Sequence, residues 1–186
     1  MNPSGQLRMM VFASLLAALM TAGAYMSIPV GPVPIVLQNM FVFLAGLLLG
    51  SRWGPASVGV YLLAGACGLP VFAGGMGGIG RIVGPTGGYL IGYLPAVFII
   101  GYISTRGASR FSFDIAAMIG GTIILYACGL TWLKTLTGMP WPKALAVGMY
   151  PFLIGDALKI VAAAAIAKGL RPVIQVAGSA QPGLVK

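Results

Sequence analysis

The sequence contains no histidine and no glutamate, and its only acidic side chains are Asp114 and Asp156. Those absences close off most catalytic chemistry. Histidine-based triads, HExxH zinc sites and carboxylate-rich metal cages cannot be assembled from what remains. Cys67 and Cys128 are the only thiols. Each lies in an apolar run without CxxC spacing, the pattern of buried cysteine acting as a small hydrophobe. No GxxxxGK[ST] loop is present, so the chain lacks that route to ATP hydrolysis. The expectation is a protein that is not an enzyme, with no metal and no cofactor of its own.

What is abundant is apolar surface: 59% of the 186 residues are hydrophobic and 7% are charged. That balance belongs to a protein with many membrane spans. The net charge of +9 does not point to nucleic acid. The basic residues are scattered between apolar runs and form no stripe interleaved with aromatics. Scattered loop charge sets orientation in a bilayer instead.

Matching the apolar runs to a hydrocarbon core of ~30 Å gives six helices, over residues 9–27, 35–50, 55–67, 87–104, 114–133 and 143–168. Turn signals separate them: Pro29-Val30-Gly31-Pro32, Trp53-Gly54-Pro55, the glycine-rich residues 74–88, Thr105-Arg106-Gly107 and Gly138-Met139-Pro140. The first run lacks a convincing cleavage site and reads as a retained helix, not a secretory signal. Arg8, Arg52, Arg106, Arg110, Lys168, Arg171 and Lys186 fall on one side, and Arg81, Lys134 and Lys143 on the other. The positive-inside rule then places both termini in the cytoplasm. The fold expected is an all-α integral membrane protein, one compact six-helix domain over 1–186. Its ordered core covers about 8–171, and residues 172–186 form a flexible tail.

Asp156 and Lys159 interrupt the last apolar run. A charge at bilayer depth costs at least ~2.5–3.5 kcal/mol on insertion scales, and desolvating a pair often outweighs its attraction. Three positions apart on a helix, the two side chains share a face and can pair. Two readings follow: a polar site built for a ligand, and an ion pair that only pins one helix to its neighbours. A functional site is the default for intramembrane charge.

The outer loops hold the other candidates. Residues 28–34 are proline-rich and stiff, suited to covering a cavity or to plain connection, and lead into a helix bearing Gln38 and Asn39. Residues 75–80 match GxGxxG but follow no strand, so they signal backbone freedom and a mobile lid, not a dinucleotide site. Arg81 comes next. It suits a carboxylate clamp, and equally a snorkelling interfacial residue. Gly84-Pro85-Thr86-Gly87-Gly88-Tyr89 opens the fourth helix, with Thr86 as a candidate N-cap and a helix start that favours negative charge. Tyr61, Phe72, Tyr89 and Tyr93 offer aromatic walls, with interfacial anchoring as the alternative. Ala13, Ala17, Ala18 and Ala22 place small residues along the first helix, a pattern that permits close docking to another membrane protein.

Three segments together resemble the BioY family: residues 69–75 (LPVFAGG) with 84–92 (GPTGGYLIG), residues 38–50 ending LAGLLLG, and GDALK at 155–159. The resemblance covers about residues 11–168. It implies a biotin-specific substrate-capture subunit, the S component, of an energy-coupling factor (ECF) vitamin transporter in a bacterial or archaeal cytoplasmic membrane. It implies six helices, a membrane scaffold (T component) and an ATPase pair as partners, ATP used only by those partners, and scaffold contact through the first helix. Binding of biotin carries over to Asp156 and Lys159. Gln38, Tyr61, Phe72, Arg81, Thr86, Gly87 and Tyr89 join the expected site on their own chemistry. The alternatives are a stand-alone secondary transporter for biotin or a related small molecule, and a purely structural bundle subunit.

Overall fold

In hydrocarbon the backbone must satisfy its own hydrogen bonds, and a helix does so within one segment. The computed structural model of the chain describes residues 3–29, 32–107 and 110–179, and they are overwhelmingly helical. The helices are α1 (Pro3–Tyr25), α2 (Gln38–Ala66), the single turn α3 (Ile79–Ile82), α4 (Gly87–Arg106), α5 (Phe111–Thr137), α6 (Trp141–Gly148) and α7 (Leu153–Ser179). Among the described residues five stretches are long and apolar enough to cross a membrane: α1, α2, α4, α5 and Trp141–Pro172. Their outward faces carry exposed Leu63, Ile123, Ile154 and Leu158, which lipid covers in place of protein.

The centre is α2, α4 and α5. Phe43, Val97, Ile100, Met118 and Leu133 are fully buried there. Ile100 of α4 sits between two glycines, one on each neighbour. A Cβ at Gly46 of α2 or Gly121 of α5 would lie 2.7 or 2.6 Å from its side chain. Small residues let these backbones approach closely.

Two breaks shape the molecule. Inside α2, Gly50 has φ 72° and ψ −170°, a conformation open to glycine at little cost. A Cβ on Gly54 would stand 3.0 Å from the Ala45 carbonyl oxygen. Nine residues along an unbroken helix would separate them by about 13.5 Å, so the chain folds back at Gly50. The turn expected at Trp53-Gly54-Pro55 therefore lies earlier, and helix resumes through those residues. The second break interrupts the last apolar run, expected as one helix over 143–168. Met149 leaves helical geometry (φ −135°, ψ −57°), Tyr150–Phe152 form a 3-10 turn, and α7 starts afresh at Leu153. Pro151 has no N–H to give the helix ladder and so favours a break here, although α7 accommodates Pro172.

α7 also runs further than expected, through Pro172 to Ser179. The remainder of the anticipated tail, 180–186, lies outside the described residues. So do Val30 and Gly31 of the first loop, whose flanks pair as a short antiparallel ribbon, β1 (Ser27–Ile28) with β2 (Ile35–Val36).

Three sequence expectations need correction. Ala13 and Ala17 are buried against α2, where Ser57 Oγ donates to the Ala13 carbonyl at 2.7 Å. They cannot form an outward docking face. Ala18 and Ala22 do face outward. Cys67 is exposed and Cys128 half-buried, so neither is the buried hydrophobe expected. Arg171, counted as a loop charge, is drawn inside: its guanidinium forks onto Asp114 and also donates to Ser104 Oγ and the Leu47 carbonyl.

Candidate functional site

Asp156 falls in the first turn of α7 because the chain breaks just before it, and a helix start attracts negative charge. It is 2% exposed. Lys159 Nζ donates to its Oδ1 at 3.0 Å and Asn39 Nδ2 to the same oxygen at 3.4 Å. Tyr126 Oη donates to Oδ2 at 2.6 Å. Tyr93 Oη in turn donates to Asn39 Oδ1 at 2.6 Å, fixing which way that amide points. Four helices thus meet at one carboxylate: α2 through Asn39, α4 through Tyr93, α5 through Tyr126, and α7 itself.

This carboxylate lines a cavity whose empty space, open mouth included, is about 680 Å³. Leu90, Leu125, Phe152, Phe72 and Val36 supply apolar wall, and Gln38, Asn39, Arg81, Tyr93 and Tyr126 the polar groups. Gln38 is 2% exposed, and its Nε2 has no hydrogen-bond partner among the described residues. A buried donor left unpaired costs ~1–3 kcal/mol. Tyr89 lends its ring only. Its hydroxyl donates to the Gly148 carbonyl at 2.7 Å, and Gly129 of α5 leaves room for the ring.

The glycine-rich loop is more tied down than its composition implies. Phe72 pairs with Met76 as a backbone bridge, Gly78 N–H donates to the Gly65 carbonyl at 2.7 Å, and Tyr25 Oη to the Pro70 carbonyl at 2.7 Å. The Phe72 ring is buried against Gly65 and meets Tyr61 edge-on, centroids 5.5 Å apart. Phe72 is a plug in the cavity wall. Arg81, on α3, is half-exposed toward the mouth. Its only hydrogen bonds among the described residues go to Met76 Sδ, a weak acceptor.

Of the expected residues, Gln38, Phe72, Arg81, Thr86, Tyr89 and Asp156 line one cavity. Tyr61 stands behind Phe72, with its hydroxyl on the Val71 carbonyl at 3.2 Å. Lys159 stands behind Asp156 and is outside the lining. Gly87 is elsewhere: it packs against the Ile82 carbonyl and Trp132, where a Cβ has no room. Thr86 occupies the N-cap position without a side-chain cap bond.

Tyr126, Phe152 and the role of Asn39 were missed. Tyr126 had a readable signal, since a lone tyrosine in mid-span needs a partner for its hydroxyl. Phe152 had none, because the helix break that aims it was not foreseen.

Against known proteins, the BioY family matches over residues 1–176. The chain is 42% identical over 165 residues to a biotin transporter BioY of Thermotoga maritima, covering 89% of this chain and 96% of that one. It is 41% identical to a biotin transporter BioY of Rhizobium etli, covering 88% and 92%. Its fold superposes on a crystal structure of the S component for biotin from an ECF-type ABC transporter. There the TM-score is 0.87 at 30% identity, over 92% of this chain and 95% of that one. With a family match spanning nearly its whole length and relatives above 40% identity, this chain belongs to the BioY family.

Proposed function

We propose that the chain is a high-affinity biotin-binding subunit that mediates biotin uptake as the S component of an ECF-type transporter. The carrying observation is Asp156, buried at the end of a cavity that also holds an unpaired buried donor, Gln38, and a half-exposed cation, Arg81. Biotin has a ureido head with two N–H donors and one carbonyl, an apolar fused ring, and a carboxylate on a flexible tail. A carboxylate offers about four acceptor sites. Three are used by Lys159, Asn39 and Tyr126, so Oδ2 takes one ureido N–H without losing a bond. Gln38 Nε2 is the donor for the ureido carbonyl. Lys159 acts through Asp156 as its counter-charge. The rings lie among Leu90, Leu125, Phe152 and the tyrosines, and the carboxylate exchanges places with the Met76 thioether on Arg81.

In the same reading, α2 counts as two spans because it folds back at Gly50, giving six spans in one domain. Both termini are cytoplasmic, placing the cavity mouth outside. A membrane scaffold and an ATPase pair supply the energy, and ATP is used only there. The docking face on α1 is the outward side bearing Ala18 and Ala22.

Calorimetry on the purified chain without partners, titrated with biotin and other vitamins of similar size, tests the reading. Tight binding of biotin alone is expected. A chain that binds none of them, or prefers another vitamin, ends it.

A further inference from the structure

α7 is held in an unusual way. From its start to Pro172 its buried residues are Asp156, Lys159, Ile160, Ala163, Ala164 and Ala167, with Arg171 closing the same stripe. Only 22% of the most apolar window in Trp141–Pro172 is buried. Between its charged ends, α7 therefore meets the bundle through one isoleucine and three alanines. Alanine has no side chain long enough to interlock with a neighbouring groove, and buries little area. Such a stripe lets α7 lie close but does not set its position along its own axis.

The two polar nodes do set it. At the inner node Arg171 Nη2 donates to Asp114 Oδ1 at 2.8 Å, to Ser104 Oγ at 2.9 Å and to the Leu47 carbonyl at 3.3 Å. Ser104 Oγ also donates to Asp114 Oδ1 at 2.7 Å, and Asp114 is fully buried. Leu47, Ser104, Asp114 and Arg171 belong to α2, α4, α5 and α7, the same four helices that meet at Asp156. Asp156 and Arg171 are about 22 Å apart along α7 at ~1.5 Å per residue.

We propose that Asp114 and Arg171 are positioning residues for ligand binding: their forked pair fixes the axial register of α7 and so holds Asp156 where the cavity needs it. A bidentate pair gives the directional specificity that the alanine face lacks. The proposal rests on the biotin reading for its consequence, but the register itself is testable without ligand.

The test replaces both charges together, Asp114→Leu with Arg171→Met, because removing a buried pair whole is far better tolerated than orphaning one partner. Spin labels at Ile123→Cys and Leu158→Cys, both exposed, report α5 to α7 in a chain whose Cys67 and Cys128 are replaced by alanine. A shifted or broadened distance without ligand is expected, with biotin affinity lowered roughly tenfold. A folded double variant with the parent's distance, or with the parent's affinity, overturns the proposal; a merely structural pair would lower the melting temperature and leave both unchanged. If that variant does not fold, Arg171→Lys decides: it keeps the charge but cannot fork, and parent-like distance or affinity overturns the proposal equally. A parent chain that binds no biotin refutes the functional reading separately, while the label distance still settles the register.

Discussion

Asp114 and Asp156, the only acidic side chains in the sequence, are both buried, and each pairs with a cation carried by α7: Arg171 for the first, Lys159 for the second. One helix thus collects every ion pair among the described residues. The Asp156 carboxylate opens onto the cavity, whereas the Asp114–Arg171 pair is tied to Ser104 and the Leu47 carbonyl.

Tyr126→Phe should weaken biotin binding with little change in fold. It deletes the 2.6 Å bond to Asp156 Oδ2 and keeps the ring. A hydrogen bond to a charged group is worth ~1.5–3 kcal/mol, roughly ten- to a hundredfold in affinity. Calorimetry at constant protein stability measures it. Unchanged affinity would show that the ligand makes up the missing donor.

Asp156→Asn should cost as much or more, because it swaps an acceptor for a donor and strips Lys159 of its counter-charge. Lys159→Met leaves Asp156 with Asn39 and Tyr126 only and should also lower the melting temperature. If both variants fold and bind biotin like the parent, the pair is a structural bridge only.

Gln38 is separable from them with a ligand analogue. Biotin with its ureido oxygen replaced by sulfur is a poorer acceptor and should bind the parent less well. Gln38→Leu should bind biotin and the analogue about equally weakly. A variant that still discriminates between the two places the carbonyl donor elsewhere.

Arg81→Ala should weaken biotin and leave the affinity for biotin amide, which lacks the charge, nearly unaltered. Equal losses for both ligands would make Arg81 a wall and not a clamp. In the same region, hydrogen exchange over residues 71–84 should slow when biotin is added, because the Phe72 plug and Arg81 then gain a common partner. Identical exchange in both states would remove any role for this loop in closure.

On α1 the two small-residue pairs should part company. Ala18→Leu or Ala22→Leu should reduce biotin uptake in cells while the purified chain still binds. Ala13→Leu should disturb folding and binding together, because its site is filled by α2. Normal uptake in the outward variants would place scaffold docking on another face.

The apolar runs, the absence of histidine and glutamate, and the single pair Asp156–Lys159 determined by themselves that this is a helical membrane protein with a buried polar site. Those conclusions rest on costs that act locally, such as the insertion of a charge or of an unpaired peptide group. Arg81, Gln38, Phe72, Thr86 and Tyr89 were legible as neighbours of the site because loop chemistry and motif spacing mark them. Only the tertiary structure decided that Asn39, 117 positions from Asp156, is its hydrogen-bond partner. It also decided that Ala13 faces inward while Ala18 faces out, and that Arg171 leaves the loops for Asp114. Which side of an apolar helix is buried depends on its neighbours, since lipid and protein core are equally apolar. The break at Met149 and the reversal at Gly50 follow the same logic. A proline or glycine permits a bend, and the packing around it determines where the bend falls.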